Sequence, residues 1–444
     1  MIFTDPQYLL LIFLPFFVYA ILRNAGILTN PTFGLAFNVV LGLLYYQLGP
    51  GSSPLSLGAY VVLNLAVFAI KPRSYNVYML VAIANMVALF ALKALRPHGA
   101  PLGISFEVFQ IVGLLVVRAK NPDEEVRPLE YLFFLLLFPV MVAGPIDHWA
   151  WMKRFLKHWR EGRAHRANFD RAFVYLAAGM MKKVLIADRL YGVVSNLQDN
   201  SVHFGFVDSA VFPFLYGIYL YFDFSAYSDI AVGTCLLIPL QLQINFHSPY
   251  KARDPISFWR RWHRTLHKFL INDLRPVYRW LGLPRGVWFV VFVFVFSAFW
   301  HGVGLGFLLW GLGHLAYFLL YPRKWAARLY EPVAVVMNFA VVCLLWVPFA
   351  LDVHGITRWA AGWLDLSVAL SGQGLFHGSS MNINDVAVVL SGIAIALLAP
   401  NSFQLARSRW YWRTRLPLTA GLITAMSLIL SGTAPPAPFV YFQF

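Results

Sequence analysis

The sequence predicts an all-α, polytopic membrane protein, and three observations carry that prediction. The 444 residues are 59% hydrophobic and only 12% charged, where soluble domains carry about 25%; mean hydropathy is +0.63. Apolar runs of helical length recur along the whole chain, separated by short polar segments. The surplus base, +15 at neutral pH, is concentrated in a few of those separators. A soluble fold of this size would split into domains with polar rims. Disordered, collagenous and disulfide-scaffold classes are also excluded, since Cys235 and Cys343 are the only cysteines. Both lie in apolar runs and are expected to pack as small hydrophobes. A basic chain in solution would suggest nucleic acid. Here the base interrupts apolar runs, which points to membrane topology and to no nucleic-acid partner.

A bilayer core of about 30 Å needs roughly 20 apolar residues per helix. The first run, near 7–22, has no basic segment before it and no evident cleavage site after it, so it is expected to remain as a helix. Runs near 33–48, 57–71, 77–95 and 101–117 follow as further spans. Segment 149–171 holds seven Lys and Arg residues (Lys153, Arg154, Lys157, Arg160, Arg163, Arg166, Arg171) against Glu161 and Asp170, which places it in the cytoplasm. Because 118–128 also carries Lys and Arg (Arg118, Lys120, Arg127) and is assigned to the same side, the run 129–147 between them enters and leaves on one side. It or a neighbour is therefore expected to be re-entrant, buried in protein or lining a cavity. Spans near 172–191, 208–222 and 227–244 come next, then a second basic segment, 251–285. The last candidates lie near 287–300, 303–321, 332–351, 385–400 and 416–432, with 322–328 and 405–415 also basic. Connections 49–56, 192–207 and 352–384 carry few charges and are placed outside, which gives an external N-terminus. Several runs are short, so this number of spans is an upper bound. Neither a soluble domain nor a repeat is evident, and residues 1–444 read as a single membrane-embedded unit.

Polar residues inside apolar runs are functional candidates because they are costly there. The densest cluster is Tyr221-Phe-Asp223-Phe-Ser225-Ala-Tyr227-Ser228-Asp229. Its two aspartates, six apart, would not stack on one regular helix. The cluster is either a helix break that caps neighbouring helices or part of a site. In the second cluster, Asp254-Pro255 resembles a helix N-cap with proline in the first turn. One helix would then align Trp259, His263 and His267 on a face. Histidines four apart can be half of a metal site, but no third ligand is indicated and no metal is expected. An interfacial amphipathic helix accounts for Arg260, Arg261, Arg264 and the tryptophans, leaving His263 to explain. Third is Trp300-His301-Gly302-Val-Gly304-Leu-Gly306. A histidine there can be a satisfied core residue. The glycines would break the helix and open a cavity beside an imidazole able to act as a general base.

At these residues the sequence resembles the membrane-bound O-acyltransferase family, and within it the bacterial alginate O-acetyltransferase branch. Pro101 to Phe106 resembles the block PLGISF, and Phe138 to Ile146 resembles FP…AGPI. Gly179 to Asp188 resembles GLFKKVVIAD, Tyr221 to Asp229 YFDFSGYSD, Asn245 to Arg253 NFNYPYLAR, and Phe258 to His263 FWRRWH. Trp300-His301-Gly302 is similar to the WHG of the active-site segment, and Tyr441 to Phe444 to that branch's C-terminus. The blocks run in order from about residue 101 to 444. Departures are Ala226 for the usual glycine, Ile271-Asn-Asp-Leu274 where LRDY is common, no Gly-Gly-Asn-Arg stretch, and Phe299 before Trp300. Gly144-Pro-Ile-Asp147 is closer to the teichoic-acid D-alanyl transferase branch.

The resemblance implies a funnel of about 11–13 helices with re-entrant segments, in the bacterial cytoplasmic (inner) membrane, among membrane lipids. It implies His301 and His263 as catalytic histidines, the second lining the path of the acyl donor. It makes Asp223, Ser225, Tyr227, Asp229, Asn245, Trp259, Trp262 and Trp300 candidate substrate-binding residues. No bound cofactor is implied; acetyl-CoA or an acylated carrier protein is the donor substrate. The acceptor would be an exopolysaccharide such as alginate, reached directly or through an extracytoplasmic SGNH-like acyltransferase partner. D-alanyl transfer from a carrier protein, or transport through a polar path, are the alternatives.

Overall fold

The computed structural model describes residues 6–48, 54–95, 103–162, 168–365, 380–408 and 437–439. Among them every regular element is a helix. A π-helical turn, Leu9–Phe13, leads into α1 (Leu14–Asn24). Helix α2 (Pro31–Gln47) starts where the Asn30 side chain accepts the Phe33 N–H at 3.0 Å, with Pro31 in the first turn, where no N–H is needed. Next come α3 (Pro54–Ile70), α4 (Tyr75–Leu95) and α5 (Ile104–Lys120), the last two packed together. Two described helical stretches, Tyr75–Leu95 and Glu331–Ala350, are long and apolar enough to cross a membrane; other apolar helices are shorter.

The run 129–147, expected to be re-entrant if a neighbour was not, is irregular. Helix α6 (Pro128–Leu135) has eight residues, about 12 Å at 1.5 Å per residue and too short to span. The chain then continues without regular structure to His148, yet Leu137, Phe138 and Ala143 are fully buried. Such backbone survives at depth only when protein encloses it. Two glycines admit it. A Cβ at Gly42 would lie 1.9 Å from the Leu136 carbonyl oxygen, and Gly103, at φ +79°, would place one 2.5 Å from that of Met141.

Amphipathic α7 (Trp149–Arg160) precedes α8 (Phe169–Met181), a π-helical turn Lys182–Ala187 and α9 (Asp188–Gln198). This rod packs along α10 (Phe206–Leu237), the centre of the fold, which α9 and helices from the C-terminal third also contact. At the α8–α10 contact, Cβ atoms at Gly179 and Gly233 would each come within 2.9 Å of a carbonyl oxygen across the interface, so small residues set the approach. The two spans expected at 208–222 and 227–244 are corrected here to one helix of 32 residues, about 48 Å long. The polar cluster does not break it, because neighbours pair its aspartates; the helix ends instead at Leu237.

The single helix expected from Asp254 to His267 is also corrected. Asp254 caps it as predicted, accepting the Ser257 N–H at 2.7 Å, but α11 (Pro255–Trp259) stops and α12 (Arg264–Phe269) restarts after a turn. The 245–247 loop captures that turn: the His247 N–H donates to the Arg261 carbonyl at 3.0 Å, and the Arg264 N–H donates to the Asn245 carbonyl at 2.8 Å. A π-helical turn, Leu270–Leu274, joins α12 to α13 (Arg275–Trp280). Helices α14 (Val287–His301) and α15 (Leu305–Leu320) form a hairpin broken at the predicted glycines. Then come α16 (Glu331–Leu345), α17 (Val347–Ala350), α18 (Val353–Gly362) and α19 (Ile383–Leu398). Both cysteines are buried and free. The run 416–432, Pro101, Leu102 and Tyr441 to Phe444 lie outside the described residues.

Candidate active site

A cavity of about 380 Å³ lies among α11, α12, α13 and the α14–α15 hairpin, and both His263 and His301 line it. His301 is the last residue of α14, held where Gly302 ends the helix. A Cβ at Gly302 would lie 2.5 Å from the Phe307 ring, so that ring can fold back beside the imidazole. Phe349 and Trp310 stand edge-on to His301, with ring centroids 4.7 and 5.2 Å away. His263 occupies the left-handed region, φ 41° and ψ 54°, which a residue with a Cβ rarely adopts. Backbone of this kind persists only where the surroundings over-determine it, and it clusters at functional sites. Phe224 covers the His263 ring edge-on at 4.8 Å. Neither ring nitrogen of this buried imidazole has a hydrogen-bond partner among the described residues.

Trp259 and Trp262 line the same cavity, as do Arg260, His267, Arg275, Trp310 and Trp346. Arg260 is exposed, Arg275 half-buried and His301 buried, so Arg260 marks the open side and the imidazole the closed side. Burial, and then the guanidinium groups of Arg260 and Arg275, lower the pKa of His267 below the ordinary histidine range. The site therefore combines two buried imidazoles, an aromatic wall and fixed positive charge at its entrance.

The other candidates lie elsewhere. Trp300 packs behind His301, its ring 5.3 Å from Phe109, and its carbonyl accepts a hydrogen bond from Lys93. Asn245 braces the His263 turn: besides its carbonyl bond to the Arg264 N–H, its side-chain oxygen accepts from the Thr265 hydroxyl and its amide donates to Ser228 Oγ at 3.0 Å. Asp223 pairs with Lys183 at 2.8 Å, and Asp229 with Lys182 at 2.5 Å. Lys183 also reaches Asp188 at 2.8 Å. Ser225 and Tyr227 are buried on α10, and the Tyr227 ring lies 4.9 Å from Phe439. None of these six candidates lines the chamber. Among the described residues no group of three or more His, Cys, Asp or Glu comes together as a metal site.

Sequence reasoning missed Trp310, Trp346, Phe349 and buried His314, whose ring lies 5.0 Å from Trp259 and 5.5 Å from Trp310. They sit in runs rich in aromatic residues and carry no individual signal. Lys93 did carry one, a charge in the last turn of an apolar span.

Comparison with known proteins identifies the fold family. The chain is 35% identical over 261 residues to the peptidoglycan O-acetyltransferase of Helicobacter pylori, covering 56% of this chain and 48% of that protein. It is 30% identical over 265 residues to the "Probable alginate O-acetylase AlgI" of Azotobacter vinelandii, covering 57% and 51%. To the teichoic acid D-alanyltransferase of Bacillus subtilis it is 26% identical over 309 residues, covering 62% and 77%. The match thus spans about half the length of the two O-acetylating relatives. The family model of membrane-bound O-acyltransferases matches residues 27–352, which take in every helix of the chamber and both of its catalytic-candidate histidines, and the chain belongs to that family.

Proposed function

We propose that the chain is an O-acyltransferase of the bacterial cytoplasmic membrane. It moves an acetyl group from a cytoplasmic thioester donor, acetyl-CoA or an acylated carrier protein, toward hydroxyls of a cell-envelope polysaccharide or of an extracytoplasmic SGNH-like partner. The observation that carries this reading is one cavity with His301, His263 and half-buried Arg275 in its wall and Arg260 at its open side. The cations attract the anionic donor. His301 accepts the proton of the acceptor hydroxyl as its oxygen attacks the thioester carbonyl. The tetrahedral intermediate then collapses: the C–S bond breaks, the ester C–O bond remains, and the proton passes to the departing thiolate. His263 lines the donor's path. Asn245 acts as a positioning residue for that imidazole, and Asp223 and Asp229 hold α10 in place by their ion pairs.

The test is transfer of label from acetyl-CoA in membranes or purified protein. General-base assistance is worth about 10² to 10⁴ in rate, so His301→Ala is expected to lose transfer by that factor while the protein keeps its elution profile and thermal midpoint. Near wild-type transfer by a folded variant would overturn the assignment. A second reading, D-alanyl transfer, is favoured by the 77% coverage of the Bacillus subtilis relative. Replacing the donor with a D-alanylated carrier protein separates the two.

A further inference from the structure

A second cavity, about 210 Å³, backs onto the chamber through α12. That helix turns Leu266 and His267 to the chamber, and Arg264 and Lys268, one helical turn apart, to the second cavity. Arg171, from the first turn of α8, and Arg407 complete a set of four cations, and among the described residues no acidic residue lines the space. Among the described residues none of the four forms an ion pair. Lys268 donates to the Gln243 side chain, the Arg407 guanidinium lies 4.6 Å above the Phe403 ring, and Arg171 Nε is buried without a hydrogen-bond partner among the described residues. Gln241 and Gln243 also line the space, and the remainder of the wall is mainly apolar, with Tyr175, Val232, Leu236, Ile244 and Phe403. Trp151 contributes its ring, with the indole N–H donating to the Gln241 carbonyl at 2.6 Å.

Four cations without an ion pair among the described residues, beside an apolar wall and with buried Asp147 acting on Lys268 from outside the lining, suit an amphiphile with an anionic head. The cations come from segments 149–171, 251–285 and 405–415, three of the basic segments that the charge asymmetry assigns to the cytoplasm. Basic pockets between helices on that side bind anionic headgroups. The chamber has its own cations, Arg260 and Arg275, and α12 stands between the two spaces. We propose that this cavity binds the phosphate headgroup of an anionic phospholipid of the cytoplasmic leaflet, with an acyl chain along the Tyr175–Leu236 wall. The bound lipid ties α8 and α12 to the segment around Arg407, and α12 begins immediately after His263. The site is separate from the acyl-transfer reading and does not depend on it.

The test is native mass spectrometry of the full chain in zwitterionic detergent, titrated with phosphatidylglycerol, phosphatidylcholine or adenosine 3′,5′-bisphosphate. Phosphatidylglycerol is expected to bind tightest. The pair R264Q/K268Q should weaken it about thirtyfold, at a factor of about five per charge. R171Q/R407Q, on other elements, should act similarly, while the charge-conserving R264K/K268R should keep the wild-type affinity within about twofold. Equal binding of the two lipids, or indifference to both neutralising pairs, would overturn the site. Competition of adenosine bisphosphate with phosphatidylglycerol would reassign it to the acyl donor.

Discussion

His263 stands in a left-handed turn because its neighbours leave it no alternative: the Arg264 N–H is taken by the Asn245 carbonyl, and the Thr265 hydroxyl by the Asn245 side chain. The Ile146 N–H in turn donates to Thr265 Oγ1 at 2.9 Å, which ties the irregular segment before α7 to the same turn. Asn245→Ala removes the side-chain part of this brace and keeps the backbone part. A displacement of about 1 Å at a reacting group can lower the rate about 100-fold. Asn245→Ala is therefore expected to lower kcat by about tenfold to 100-fold with little change in KM for the donor. Steady-state kinetics with labelled donor reads the split; a purely structural role would lower the thermal midpoint and leave kcat per folded molecule intact.

At the scale of elements, α10 depends on how its charges are matched. Consecutive lysines of the π-helical turn, Lys182 and Lys183, reach aspartates six residues apart on α10, a spacing that one helix facing another in regular register would not match. Removing one partner leaves the other charge buried, which costs about 3–5 kcal/mol. Lys183→Met is therefore expected to be strongly destabilising in a thermal unfolding assay in detergent. Because Lys183 serves Asp188 as well, the double variant K183M/D223L should recover only part of the loss. Full recovery would show that the Asp188 pair contributes nothing.

For the whole molecule, the sign and placement of charge make a topological prediction. Arg154, Arg279 and His354 are all exposed. In an otherwise cysteine-free background, Arg154→Cys and Arg279→Cys should react with a membrane-impermeant maleimide only after cells are permeabilised, and His354→Cys in intact cells. The two native cysteines are buried and free, so their replacement by alanine or serine is the control for folding. Labelling of Arg279→Cys from outside would place the cations of the chamber on the wrong side for a cytoplasmic donor.

Composition, charge asymmetry and the ordered motif blocks determined the helical membrane class, the family and the two histidines of the chamber, because these depend on residue type and local spacing. The glycine break after His301 and the Asp254 cap were legible for the same reason: the conformation is decided within a few residues. The irregular segment was legible as a contradiction in the threading of 129–147, though the sequence alone did not say which run was irregular. The continuity of α10, the left-handed turn at His263 and the aromatic wall of Trp310, Trp346 and Phe349 were decided only by tertiary structure. Lysines from another helix neutralise the aspartates that locally suggest a break, and a loop on the far side of the turn captures backbone groups that a helix would otherwise pair internally. The division of one basic segment between two cavities also belongs to the folded molecule, since it depends on which face of a six-residue helix each side chain occupies.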